Sequence, residues 1–255
     1  MTALQPGAVD WSIVQSGLFS TWLLDSTLQN VVEANPTQQF EYIGLFQRNS
    51  LGPRFGRLSP AVVSEERDLD DARERIRKRP NAQIAYLGLH DAQKVAIPAN
   101  FAGRRSNFDN DYAQLSGLRE ASTHVSAGVR YVLRLREDAG WHGRFALPTH
   151  MDALLFKSCL DQGGVNDKVW LGPRADTLRL NDAWLGGFLS VKGDQDHANT
   201  EKALLNTLES LRLPYALGDV NVSDARVNTS FLEGICWRMG YLCGDSSSAV
   251  PSCEY

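Results

Sequence analysis

Apolar positions along the chain follow two periods, and their alternation predicts a mixture of helices and strands. From Asp10 to the Asn35-Pro36 break, Trp11, Ile13, Val14, Leu18, Trp22, Leu23, Leu28, Val31 and Val32 cover more than one face. With Asp10 as N-cap this predicts a helix pair deep in the core, or a helix docked on a partner. The aromatic and β-branched run Phe40 to Phe46 predicts a short strand, followed by a Gly/Pro/Arg loop from Asn49 to Pro60. Residues 65–79 predict a surface helix, because acids crowd its first half and bases its second, the order that complements the helix dipole. Leu69, Ala72 and Ile76 are its inward stripe. Residues 81–98 predict a hairpin, Ile84–Leu89 turning at His90-Asp91 into Lys94–Ile97.

Residues 99–125 are polar and irregular, so the chain is expected to divide into an N-terminal α+β region, 1–125, and a second region, 126–255. In the second, Val129, Tyr131, Leu133 and Leu135 alternate with Arg130, Arg134 and Arg136, the period of a half-buried strand. A helix is predicted from a Thr149 cap through Leu154, Leu155 and Cys159. Strands follow at Lys168–Leu171, Thr177–Leu180 and Ala183–Val191, then a helix from Asn199 to Leu211, a strand Tyr215–Val222, and a helix capped by Asp224. The fold class is α/β with a mixed sheet.

Composition narrows the possibilities less than pattern does. Hydrophobic residues at 43% and charged residues at 22% fit a globular protein and exclude fibrous or wholly disordered chains. The longest apolar run, Ala183 to Val191, is about half the roughly 20 residues a bilayer crossing needs. No export signal is read in the first residues, so a cytoplasmic protein with reduced cysteines is expected. Cys159, Cys236, Cys243 and Cys253 have no metal-ligand spacing, and no metal is expected, although the last three leave room for a disulfide in an oxidising compartment. The net charge of −4 is uneven: residues 1–47 carry four acids and no Lys or Arg, 48–144 carry 17 bases and 12 acids, and 145–255 carry 9 bases and 14 acids. The 20 arginines against 6 lysines have a compositional explanation in a GC-rich genome.

From residue 129 onward, two stretches carry a family resemblance: Leu189-Ser190-Val191-Lys192-Gly193-Asp194 leading into Lys202-Ala203-Leu204-Leu205, and Asp219 to Arg226 leading to Met239-Gly240-Tyr241. In layout and in these stretches the chain resembles the GNAT family of N-acetyltransferases. The resemblance implies an acyl-CoA-dependent N-acyltransferase, taking acetyl-CoA or another acyl-CoA and a small-molecule or protein amine. It places the thioester on the backbone of Leu189 and Val191 and the pyrophosphate on amides near Gln195, Ala198, Asn199 and Thr200. Asn221 would orient substrate or the CoA arm, and His197 would accept the proton. The family's phosphate-loop glycines are replaced here by Asp196, Asn199 and Glu201, or by Gln195, Ala198 and Thr200 one residue out of step; Phe231 stands where many members have a catalytic tyrosine.

Two other constellations stand beside it. His150-Met151-Asp152, with His197 as a distal partner, has the spacing of a facial triad in iron- and 2-oxoglutarate-dependent oxygenases, although Thr149 and Asp152 also suit a helix cap. Arg54 and Arg57 flank Phe55-Gly56, and Arg104-Arg105 lies between Phe101 and Phe108. Arginines beside aromatics on glycine-containing loops suit phosphate contact with base stacking. The alternative function is therefore a non-enzymatic subunit that binds RNA, DNA or other protein subunits through this basic region.

Overall fold

The computed structural model describes residues 9–19, 22–48, 65–91, 95–99, 101, 108–141, 143–157, 160–161, 164–190, 200–220, 222–227 and 235–238. Four parallel strands build one half of a seven-stranded mixed sheet: β1 (Trp11–Leu18), β2 (Phe40–Gln47), β3 (Ala82–His90) and β4 (Tyr131–Arg136). The chain steps outward from β1 to β2 and β3, then returns through α3 (Phe108–Ser122) to lay β4 on the other side of β1. Beyond β4 lie β9 (Val169–Pro173), β6 (Leu154–Lys157) and the edge strand β10 (Tyr215–Gly218), giving the order β10-β6-β9-β4-β1-β2-β3. Only β9 runs against the rest. The sheet thus takes strands from both sides of residue 125. Short strands β5 (Ala139–Trp141), β11 (Val222–Val227) and β12 (Ile235–Arg238) form a separate three-stranded sheet, and β7 (Leu160–Asp161) and β8 (Gly164–Val165) pair with each other.

Both faces of the sheet are covered. On one, Ile13, Tyr42, Phe46, Leu133 and Leu135 pack under α1 (Leu24–Thr27), its π-helical continuation Leu28–Val32, and α2 (Glu65–Arg77). On the other, Val14, Ile43, Leu45, Val132, Phe156 and Trp170 pack under α3, α4 (Arg174–Leu189) and α5 (Thr200–Leu211). A strand buried on both faces is apolar on both, so its pattern does not alternate. That is why Trp11–Leu18 reads as a helix and is a strand. Among the described residues of the predicted helix pair, Leu24–Val32 is the helical part.

Other expectations change for local reasons. The segment 82–90 is a single strand parallel to β2 rather than the first arm of a hairpin, and 95–97 is not a strand. Residues 108–122, read as irregular, form α3, in which Phe108, Leu115, Leu118 and Ala121 turn inward between polar residues. Leu154–Lys157 is a strand, not part of a helix, and Val222–Val227 and Ile235–Arg238 are strands where a helix from Asp224 is predicted. The largest change is α4. Leu180, Trp184 and Phe188 recur every four residues and are buried, the stripe of a helix, and Pro173 at the N-cap position starts it. Gly186-Gly187, poor helix residues, lie inside the stretch Ala183–Val191 that is predicted as a strand. Gly187 lets α5 pack close, because a methyl group there would strike the Thr207 hydroxyl. The strand at 40–47 and the helices at 65–77 and 200–211 form as predicted.

The two glycines separate the helical assignment from the extended one. Gly186 is exposed with open space around it, so Gly186→Ala is expected to stabilise the protein by about 0.5–1 kcal/mol, as in an exposed helix interior. Gly187→Ala is expected to cost about 1–3 kcal/mol through overpacking. Urea denaturation of the two variants checks both signs.

Candidate functional site

The strand order reverses between β1 and β4, and in open α/β sheets ligands bind in the crevice beyond the carboxyl ends of the strands at such a point. Here those ends hold a concentration of buried charge. β1 ends at Gly17-Leu18 and β4 at Arg136, followed by the Glu137-Asp138 turn into β5. Because β9 is antiparallel to β4, its leading residues Asn166, Asp167 and Lys168 reach the same end, where the Arg136 amide donates to the Lys168 carbonyl.

Gly17 has φ of +143°, in the region that favours glycine, and the Glu137 carboxyl occupies the space its side chain would need. The chain closes around this acid. The Leu23 amide donates to the Glu137 carbonyl at 2.9 Å, and the Leu18 amide donates to the Glu137 carboxyl. Burial, foremost, and the adjacent Asp138 charge push the Glu137 carboxyl up to about 8, against the opposing pull of Arg136 and the backbone donors. Arg136 forms a bidentate pair with Asp138, Nε to Oδ1 at 2.6 Å and Nη2 to Oδ2 at 2.8 Å. Both side chains keep 17–18% of their surface exposed, so this pair is where the cluster meets solvent.

Beneath it the cluster is buried. Asp167 lies 3.4 Å from Arg136 Nη1 and 3.5 Å from Lys168 Nζ, and accepts from the Thr200 hydroxyl at 3.3 Å. Burial alone would raise its carboxyl; Arg136 first, then Lys168 and Arg134, outweigh that and hold it at about 2. Arg134 is fully buried against a pair of indoles that meet edge-on, its guanidinium 4.4 Å from the Trp170 ring centre and 5.4 Å from that of Trp184, and its Nη1 donates to the Asp167 carbonyl. Burial lowers it to about 10, which leaves it charged at neutral pH. Trp184 Nε1 donates to the Thr200 carbonyl, which joins α4 to the first residue of α5.

Of the residues named from sequence, the structure brings Thr200 into this cluster. Leu189 is the last residue of α4, so its backbone is helical rather than the open edge of a strand, and the thioester role given to it has no strand to rest on. His197, Val191, Gln195, Ala198, Asn199 and Asn221 lie outside the described residues, as do Arg54, Arg57, Arg104 and Arg105. His150 and Asp152 do meet, Nε2 to Oδ1 at 2.8 Å, but both side chains are about three-quarters or more exposed. Tyr131, which approaches the His150 ring at 3.5 Å, opens β4 at the other end of the sheet. Among the described residues no three His, Cys, Asp or Glu side chains are placed to hold a metal. Arginines of α2 and of the turn after it are tied to neighbouring groups: Arg73 bonds Asp70 and the Leu87 carbonyl, Arg75 bonds Asp25 and Asp71, and Arg79 bonds Glu33.

No protein-family model matches the chain, and no curated protein matches it. The site is therefore defined by its side chains alone. Sequence reasoning missed Gly17, Arg134, Glu137 and Asp167. The available signal was Arg134 at an alternating position of β4: in a sheet covered on both faces, that position points inward, and a buried cation requires a partner.

Two stability effects follow from the opposite shifts. Glu137 has a folded pKa of about 8 against an ordinary 4.5, so the unfolded chain ionises first and the native state loses stability as pH rises between those values. Glu137→Gln removes that loss: in melting experiments it is expected to match the wild type near pH 4 and exceed it at pH 8.5. Asp167 is shifted the other way, and its stabilisation is present above pH 3.8 and lost as pH falls towards 2. Asp167→Asn leaves buried cations uncompensated and is expected to cost about 3–5 kcal/mol at pH 7 by urea denaturation.

Proposed function

We propose that the chain is a group-transfer enzyme that holds a nucleotide-linked donor in the crevice between the ends of β1 and β4. The observation that carries this is the convergence of the Gly17 turn, buried Glu137 and the Arg136–Asp138 pair where the strand order reverses. Topology supplies only the location; the chemistry comes from the side chains. The partly exposed Arg136 guanidinium, held through Nε and Nη2 by Asp138, suits a donor phosphate that takes the place of the Asp138 carboxylate, since Arg offers planar, two-point contact. Acyl-CoA, which ends in a phosphorylated adenosine, is one donor of this kind, and Thr200 from the predicted CoA loop lies within the same cluster.

Glu137 supplies the acid–base chemistry. A carboxyl that titrates at about 8 is part-ionised at neutral pH and is a stronger base than an ordinary carboxylate. In the transfer, the acceptor nitrogen attacks the activated carbon of the donor, the bond to the nucleotide-linked leaving group breaks with its electron pair, and the acceptor proton passes to the Glu137 carboxylate. The RNA- or DNA-binding alternative rests on arginines outside the described residues.

Calorimetric titration with ADP, UDP and coenzyme A tests the proposal. At least one is expected to bind, and Arg136→Lys is expected to weaken that binding by about tenfold, or about 1.4 kcal/mol, because it loses two-point contact. No heat from any of the three at millimolar concentration would sink the reading. For a donor and amine pair that react, kcat/KM is expected to rise with pH up to about 8 and then level off, and Glu137→Gln to abolish that rise.

A further inference from the structure

The open edge of the sheet carries an interaction surface separate from the crevice. Among the described residues, the two exposed large apolar side chains are Tyr215, at 39%, and Leu217, at 42%, and both belong to edge strand β10. They project from one face of the strand, where the Tyr215 ring meets Phe156 edge-on. β10 pairs with β6 on one side and, in the seven-stranded sheet, has no strand on the other. Soluble proteins commonly guard such an edge with Lys, a bulge or a covering loop. β10 reads Tyr-Ala-Leu-Gly, without a charge, and Ala216 is exposed as well.

What fits this edge follows from its ends. Arg212 stands just before the strand and Asp219 just after it, both exposed, and among the described residues neither side chain takes part in an ion pair. A strand that pairs antiparallel with a copy of itself about a two-fold axis brings its head beside the other's tail. Arg212 of each copy then meets Asp219 of the other, while the uncharged strands between them bring no like charges together. Tyr215 and Leu217 lie across from the same apolar strand of the partner copy.

We propose that β10 is a docking strand for a second copy of this chain, and that two sheets join edge to edge through antiparallel β10–β10 pairing. One four-residue strand pair buries far less than the roughly 800 Å² per partner of a standard stable interface. The dimer is accordingly weak and depends on concentration.

Sedimentation velocity of the full chain from about 1 to 500 µM tests this, with the range set by the weak affinity such a small interface implies. The mass is expected to rise from 28.2 kDa towards twice that value. Leu217→Lys places a charge on an edge that otherwise carries none, the device by which sheets block edge pairing, and is expected to raise the dimer Kd at least about tenfold. Asp219→Arg is expected to do the same, and combining it with Arg212→Asp is expected to restore the wild-type Kd, with circular dichroism confirming the fold of each variant. A protein that stays monomeric throughout overturns the proposal. So does a dimer indifferent to these substitutions, or a monomer whose 215–218 amides resist hydrogen exchange because some other strand covers them.

Discussion

Everything in this structure is arranged around the burial of β1 and β2 on both faces. A strand in that position has no solvent side, so whatever stands on it must pack or be paired. Helices α1 and α2 close one face and α3, α4 and α5 the other, and the chain reaches the second face only by crossing back through α3. That return creates the reversal of strand order. The charges gathered at the carboxyl ends of β1 and β4 are a result of the same covering.

The charges themselves form a graded series. Arg134 sits deepest, against Trp170 and Trp184; Asp167 and Lys168 come next; Arg136 and Asp138 reach solvent. Each layer holds the next: Arg134 grips the Asp167 carbonyl, and the Asp167 carboxylate faces Arg136. The outer pair is thereby fixed in position without relying on its own exposed, entropically expensive side chains. Glu137 stands apart from the series. Its carboxyl is turned to Gly17 of β1, where burial and the Asp138 charge outweigh the pull of Arg136, and the two acids are consequently shifted in opposite directions.

The sequence disclosed the class of the fold and about half of its elements. Glu65–Arg77 and Thr200–Leu211 were legible because each has one solvent-facing side, which leaves a clean period. Phe40–Gln47 was legible from its aromatic and β-branched content and Tyr131–Arg136 from its alternating arginines, although both strands are buried along almost their whole length. Trp11–Leu18 was not, since a doubly buried strand and a buried helix are equally apolar. α4 was hidden by Gly186-Gly187, read as part of a strand at 183–191; of the two, Gly187 lets α5 pack close and Gly186 faces open space. The site was the least legible part. Glu137 matters because of where Gly17 lies, and these residues are 120 positions apart; no local pattern connects them. The acetyltransferase resemblance drew on strand-like text at 183–189 that the chain folds as a helix.

The single reversed strand has a consequence for the order in which the molecule can be assembled. Residues up to Arg136 suffice for the four parallel strands, yet in that state β4 is a bare edge, and Arg134 has neither indole nor Asp167 beside it. β9 covers the edge and delivers Trp170 and Asp167 together, and α4 follows directly with Trp184. On a ribosome that elongates from the N-terminus, at about 5–20 residues per second, the buried arginine waits a few seconds for its neighbours. The N-terminal half is thus a nascent chain with an uncompensated cation at its growing edge, and its completion is a timing problem as much as a packing one.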